Sequence, residues 1–322
     1  MTIIQKPSAY EVAMNMTDFI IDTDSTIRFS VKYGSKVILS EDYVPDANWQ
    51  VRTHKLGKFL AQALWGLWPT SNVFTQTHLK GTFGFYIDDV LQCSSDVLFS
   101  CRYLRGVSNP VFLTNGNIKM TRPGVTEWLT VNAAGVNVTV SGVDESGLLK
   151  TVSLGAVSDV TTFNVSVDRV TTLLGFAPVG EYIIKTGTTE FCYVVDHNHY
   201  AEVFQFRYRN VFDAPEVLSC VGDVKLKGAE KASTGYQYGV ERKFDVRAND
   251  EYTANSGVIF LGSEYKYWHD FLNTREAEIC IDGEWYPIIV SKQNYEREFR
   301  KDRLKAVEFS FRFADPDQNG LI

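Results

Sequence analysis

Histidine and cysteine, on which most metal sites and covalent catalysis draw, number only five each in 322 residues. The cysteines (Cys93, Cys101, Cys192, Cys220 and Cys280) are odd in number, scattered, and set mostly in apolar, strand-like runs. That is the habit of reduced, buried thiols, and no disulfide framework is expected. An excess of positive charge is also missing. Lys and Arg total 32 against 39 Asp and Glu, a net charge of −7, so the average surface repels a polyanion and direct nucleic-acid binding is not expected. One basic stretch, residues 297–305, is interleaved with Glu298 and Asp302 and reads as a solvated loop. No apolar run approaches the roughly 20 residues that cross a bilayer, so membrane insertion is not expected. The N-terminus lacks a charged-then-apolar leader, which gives the expectation of synthesis in the cytoplasm without Sec export.

Motifs of catalysis are equally scarce. There is no Gly-x-Ser-x-Gly elbow, no Gly-x-Gly-x-x-Gly turn and no Lys-bearing phosphate loop. The carboxylate pairs Asp88-Asp89 and Asp144-Glu145 fall at expected turns, where acids are commonplace. No catalytic residue and no cofactor is assigned. The best metal candidate is Asp196-His197-Asn198-His199, because alternate strand residues share a face and both imidazoles would then reach one Zn²⁺. The same four residues lie between two apolar runs, so a polar hairpin turn is the favoured reading. Asp315-Pro-Asp-Gln-Asn-Gly imitates the opening of a calcium loop but is not followed by the twelfth-position Glu, and reads as a polar tail.

What is abundant is strand chemistry. Aromatic residues make up 13% of the chain, and Val and Thr are frequent, a composition that fits half-buried pleated surfaces. Residues 27–33 alternate apolar and polar, Gly34-Ser35 supplies a two-residue turn, and residues 36–40 return as the partner strand. Residues 54–67, with apolar side chains at spacings of three and four, predict a helix ended by Pro69. Strands are expected at 73–78, 81–87 and 97–104, and again at 136–140, 163–167, 181–185 and 190–195. Further strands are expected at 216–220, 224–226 and 236–246. Leu261, Tyr265, Trp268 and Leu272 then share one helical face, with Ser263 in the N-cap position. Asp282-Gly283 marks a type I′ hairpin, and Val307, Phe309, Phe311 and Phe313 line one face of a last strand.

The fold expected is mainly β: two to three antiparallel sandwich or barrel domains with one or two short helices. Breaks in charge and composition place them at 1–105, a β domain with a short helix; 106–200, an immunoglobulin-like or jelly-roll sandwich; and 201–322, a β-barrel with one helix.

The C-terminal third, through its helix at 263–273, Asp-Gly hairpin at 278–290 and closing strand at 307–313, resembles the β-barrel module of long-tailed phage tail-tube and distal-tail proteins. The texture of the whole chain is similar to that of tail-region proteins of Bacteroidetes prophages. The resemblance implies a virion structural protein of a tail or baseplate. Such subunits assemble through sheet edges and hairpins into a homo-oligomeric ring, with other tail or baseplate proteins as partners. Trp285, Tyr286, Tyr295, Phe299, Arg300 and Arg303 are the interface candidates, although Trp285 has an equal claim as a cover for its own core. The alternative is a glycan- or receptor-binding sandwich module with Trp49, Trp65 and Trp68 as aromatic platforms. A hydrolase is the minor alternative.

Overall fold

Alternating side chains do most of the folding. A computed structural model describes residues 1–294, 306–318 and 321–322, and arranges them in five β-sheets with three short α-helices. The mainly-β expectation holds. Helices are α1 (Leu56–Ala61), α2 (Val167–Leu174) and α3 (Tyr265–Leu272), one more than anticipated.

The first segment forms a five-stranded sheet ordered Tyr10–Val12, Val90–Leu98, Lys80–Ile87, Ile27–Tyr33, Lys36–Tyr43, beside a three-stranded sheet of Thr2–Gln5, Ile20–Asp22 and Gln50–Arg52. The turn at Gly34-Ser35 forms as read, with Gly34 at φ 57°. Asp88 and Asp89, at φ 48° and 63°, close a second tight hairpin. The following strand is therefore Val90–Leu98 and not 97–104. Helix α1 stops well short of residue 67. Beyond Ala61 the chain leaves the helix so that Trp65 N–H reaches the His78 carbonyl (3.0 Å) and Gly66 N–H reaches the Asp213 carboxylate (2.7 Å).

In the middle, a five-stranded sheet (Ile118–Thr121, Thr189–Val195, Glu181–Thr186, Asn137–Val143, Leu149–Ala156) accompanies a three-stranded one (Trp128–Asn132, Val160–Asn164, Val73–Thr75). Two departures from a simple antiparallel sandwich appear. Ile118–Thr121 runs parallel to Thr189–Val195, and Val73–Thr75 crosses over from the first segment to pair with Thr161–Phe163. Tyr10–Val12 and Val90–Leu98 form a second parallel pair. The strand expected at 163–167 ends at Asn164, whose side-chain carbonyl accepts from the Ser166 N–H (3.0 Å) and hydroxyl (2.8 Å), turning the chain into α2.

The C-terminal segment builds a seven-stranded sheet ordered Pro215–Cys220, Phe204–Arg209, Ala277–Ile281, Glu284–Asn294, Glu308–Phe313, Val240–Asn255, Val224–Gln237. Asp282 and Gly283 take φ 51° and 87°, the type I′ turn expected. Helix α3 buries Tyr265, Tyr267, Trp268, Phe271 and Leu272, and it is entered through a 3-10 turn without a side-chain cap from Ser263. Phe309, Phe311 and Phe313 are at most 2% exposed, and each such buried side chain contributes about 1.5–3 kcal/mol.

Two hydrophobic cores result. One draws on residues 12–113 with Val160, Val211, Phe212 and Ala214; the other runs continuously from Phe112 to Phe313, so the middle and C-terminal segments share it. All five cysteines are free thiols, but only Cys220 is buried, and Cys101 is exposed in a turn after the strand Val90–Leu98.

Candidate functional site

The feature with the largest reach is a hairpin arm. The strands expected at 224–226 and 236–246 fall within one ribbon, Val224–Gln237 paired with Val240–Asn255, and the second is not continuous because the ribbon's turn interrupts it. Tyr238 and Gly239, at φ 53° and 76°, form its turn. The base is anchored: Tyr252 and Ala254 are fully buried, and the Tyr252 ring stacks on Phe311 at 5.2 Å. Among the described residues, pairing of this ribbon to the rest of the sheet is confined to Tyr252–Asn255. The remaining ten residue pairs extend outward by about 35 Å at strand rise.

Outside the anchored base the arm carries exposed apolar side chains. Tyr236 is 79% and Tyr238 94% exposed, with Val240 and Phe244 each more than half exposed. The tip of the Phe244 ring lies against Gly235, where a Cβ would fall 2.2 Å from its Cζ. The outer strand, 14 residues long, is the edge of the sheet, with Lys225 and Lys227 exposed along it. Such an edge offers a row of backbone donors and acceptors to a further strand.

Trp285 and Tyr286 sit elsewhere and are engaged within the chain. Both are partly buried. The Arg207 guanidinium lies 4.7 Å from the Trp285 ring and 4.4 Å from that of Trp68, while Arg209 lies 3.6 Å from Trp68. Glu278 pairs with Arg207, and Glu276 accepts from both Arg209 Nε and Trp68 Nε1 at 3.2 Å. Tyr286 meets Phe313 edge-on at 6.5 Å. This ladder clamps the segment after α1 to the seven-stranded sheet. Trp68→Ala is expected to destabilise the protein by about 2–3 kcal/mol in urea unfolding, through lost ring burial and two cation–π contacts, with Trp68→Phe recovering part. A loss under about 0.5 kcal/mol would show that the ladder contributes nothing. Tyr295, Phe299, Arg300 and Arg303 lie outside the described residues.

The metal candidate takes the shape of a polar latch. Asp196 is buried, pairs with Arg122 at 3.0 Å and accepts from Asn198 Nδ2 (2.7 Å) and the Tyr200 hydroxyl (2.8 Å). His197 and His199 are exposed, and His197 Nε2 lies 3.3 Å from the Pro178 carbonyl. No group of three or more metal-ligating side chains occurs among the described residues. Of the proposed platforms, Trp49 is 63% exposed, Trp65 stacks on His78 at 4.3 Å, and Trp68 is covered by arginine.

Two cavities adjoin at Cys101 and Arg102, of about 280 and 310 Å³. In the first, Arg102 pairs with Asp270, Arg275 with Asp213 and Arg209 with Glu276. Although both residues are exposed, partial desolvation by neighbouring atoms pushes the Cys101 thiol up, and desolvation followed by Arg102 pulls the nearby His269 down. Both shifts favour neutral forms, the opposite of a thiolate–imidazolium nucleophile.

The fold and surface together define a mainly-β protein with a projecting sheet arm. The chain matches no protein-family profile, and no curated protein is significantly similar to it in sequence.

Proposed function

We propose that this protein is a structural subunit of a phage tail or baseplate that assembles with copies of itself into a symmetric ring, the arm being its principal contact. The observation that carries the reading is the ribbon Val224–Asn255, anchored at one end and exposing Tyr236, Tyr238, Val240 and Phe244 at the other. Uncovered apolar area of this kind marks interaction surfaces, and an open edge strand favours pairing with another chain. Other tail or baseplate proteins are the further partners, and the virion is the proposed location. No catalytic role is proposed.

Light scattering after gel filtration, with negative-stain microscopy, tests this. Wild-type protein is expected to form closed rings whose abundance rises with concentration. The triple variant Tyr236→Ser, Tyr238→Ser, Phe244→Ser is expected to remain monomeric with an unchanged unfolding midpoint, because these side chains lie outside the core. A wild-type chain that stays monomeric up to its solubility limit would overturn the reading.

A further inference from the structure

Where the strands Ile118–Thr121 and Trp128–Asn132 meet Pro215–Cys220 and α3, the packing surface is charged. Lys119, Glu127 and Glu216 are all at most 3% exposed. Lys119 Nζ donates to Glu127 Oε2 (2.6 Å) and to the Val217 carbonyl, bridging the two sides. Glu216 accepts from the Thr114 hydroxyl (2.7 Å), the Tyr208 hydroxyl (2.9 Å) and Asn210 Nδ2 (3.2 Å). One ammonium thus serves two fully buried carboxyl groups.

The surroundings do not supply the missing positive charge. Facing Glu127 are Lys119, the Thr121 hydroxyl and Glu216, with Tyr182 and Tyr193 from the neighbouring sheet and Tyr267 from α3. Facing Glu216, besides Lys119 and its hydrogen-bond donors, are Asp270, Tyr193 and Tyr267. Burial raises the phenols of Tyr182, Tyr193, Tyr208 and Tyr267, so they stay neutral. Arg122 is engaged by Asp196, and Arg102 by Asp270. Glu264, also buried, accepts from the Met120 N–H at 3.1 Å and adds a further acid to the same seam. A second uncompensated negative charge in so dry a place is costly, and retaining a proton is the cheaper solution.

We propose that this seam is a proton-dependent clasp: a proton held on the Glu127–Glu216 pair lets the middle strands close on the C-terminal sheet, and its loss loosens them. Burial, opposed by Lys119, pushes Glu127 up to about 7 from an ordinary 4.5, and burial raises Glu216 as well. A carboxyl group raised in the folded state contributes stability that is complete below its unfolded value. That stability is lost as pH rises toward and through the folded one, here between about 4.5 and 7. The two acids titrate as a pair.

Urea unfolding of the full chain at about pH 5.5, 7 and 8.5 tests the clasp. The wild-type unfolding constant is expected to rise on the order of 30-fold across that interval. In Glu127→Gln, which is neutral at every pH and keeps an acceptor for Lys119, the rise is expected to be about tenfold smaller. A second readout does not depend on any variant folding. Amide exchange in Ile118–Thr121 and Pro215–Cys220, corrected for intrinsic rate, is expected to accelerate at the alkaline end ahead of the strands of the first segment. A wild-type unfolding constant that is flat or falls with pH, an unchanged slope in Glu127→Gln, or uniform exchange across both segments would each overturn the proposal.

Discussion

Lys119→Ala is expected to lower the unfolding free energy by roughly 3–5 kcal/mol at neutral pH. The cost does not come mainly from the lost attraction. Both Lys119 and Glu127 are about 1% exposed, and removal of the ammonium leaves Glu127 without a charge partner and the Val217 carbonyl without a donor. The ammonium also lies 5.8 Å from the Tyr267 ring, so its stem and charge fill space against α3. Lys119→Met, which keeps most of the volume, is expected to recover about 1 kcal/mol of the packing loss and none of the charge. Combining Lys119→Met with Glu127→Leu is expected to recover only part of the loss, since the apolar pair replaces the ion pair but leaves Glu216 and the Val217 carbonyl without the ammonium. Urea unfolding of the three proteins measures all of this. A Lys119→Ala loss below about 1 kcal/mol would show that the seam is wetter than its burial indicates.

Phe309→Ala is expected to cost a further class of energy, about 3–5 kcal/mol, from cavity formation. Phe309 is 1% exposed and sits at the centre of an aromatic cluster, with ring centroids at 5.0 Å from Phe271, 5.3 Å from Phe206 and 6.0 Å from Trp268. The Phe271 and Phe206 contacts are edge-on, a geometry that adds about 0.5–1.5 kcal/mol per pair beyond burial. Phe309→Leu is expected to lose less than half as much, because it leaves a smaller void. The near-ultraviolet dichroism of Trp268 reports whether the cluster has been loosened, and calorimetry gives the loss. A shift in melting temperature smaller for Ala than for Leu would contradict the cluster's role.

Sequence periodicity recovered the elements that are locally determined. The turn at Asp282-Gly283 needs positive φ at both positions, and an Asp-Gly pair meets that need at low cost. Helix α3 shows a 3-4 spacing, and the last strand keeps its phenylalanines in register with a buried face. Elements set by distant contacts were not legible. Val165 and Val167 read as alternate strand positions, but both are buried because the Asn164 carboxamide turns the chain and Val167, Val170 and Leu174 then follow helical spacing. The arm was missed because Tyr238-Gly239 is an uncommon turn pair and a register shift between Lys231 and Ser233 breaks the alternation. The Trp68–Arg207–Trp285 ladder and the Lys119–Glu127–Glu216 seam join residues far apart in sequence, and single-chain spacing has no means of bringing them together.

The strand Val73–Thr75 also sets a timetable for synthesis. Val73 is paired with Phe163, about 90 residues downstream. At roughly 5–20 residues per second, a nascent chain carries that strand unpaired for about 5–20 seconds before its mate has even been polymerised. The gap is one in which a chaperone, or a neighbouring nascent chain on the same message, meets an open edge. Early translation therefore leaves Val73–Thr75 open to association while the two sheets of the first segment, drawn wholly from residues 2–98, already have all their strands.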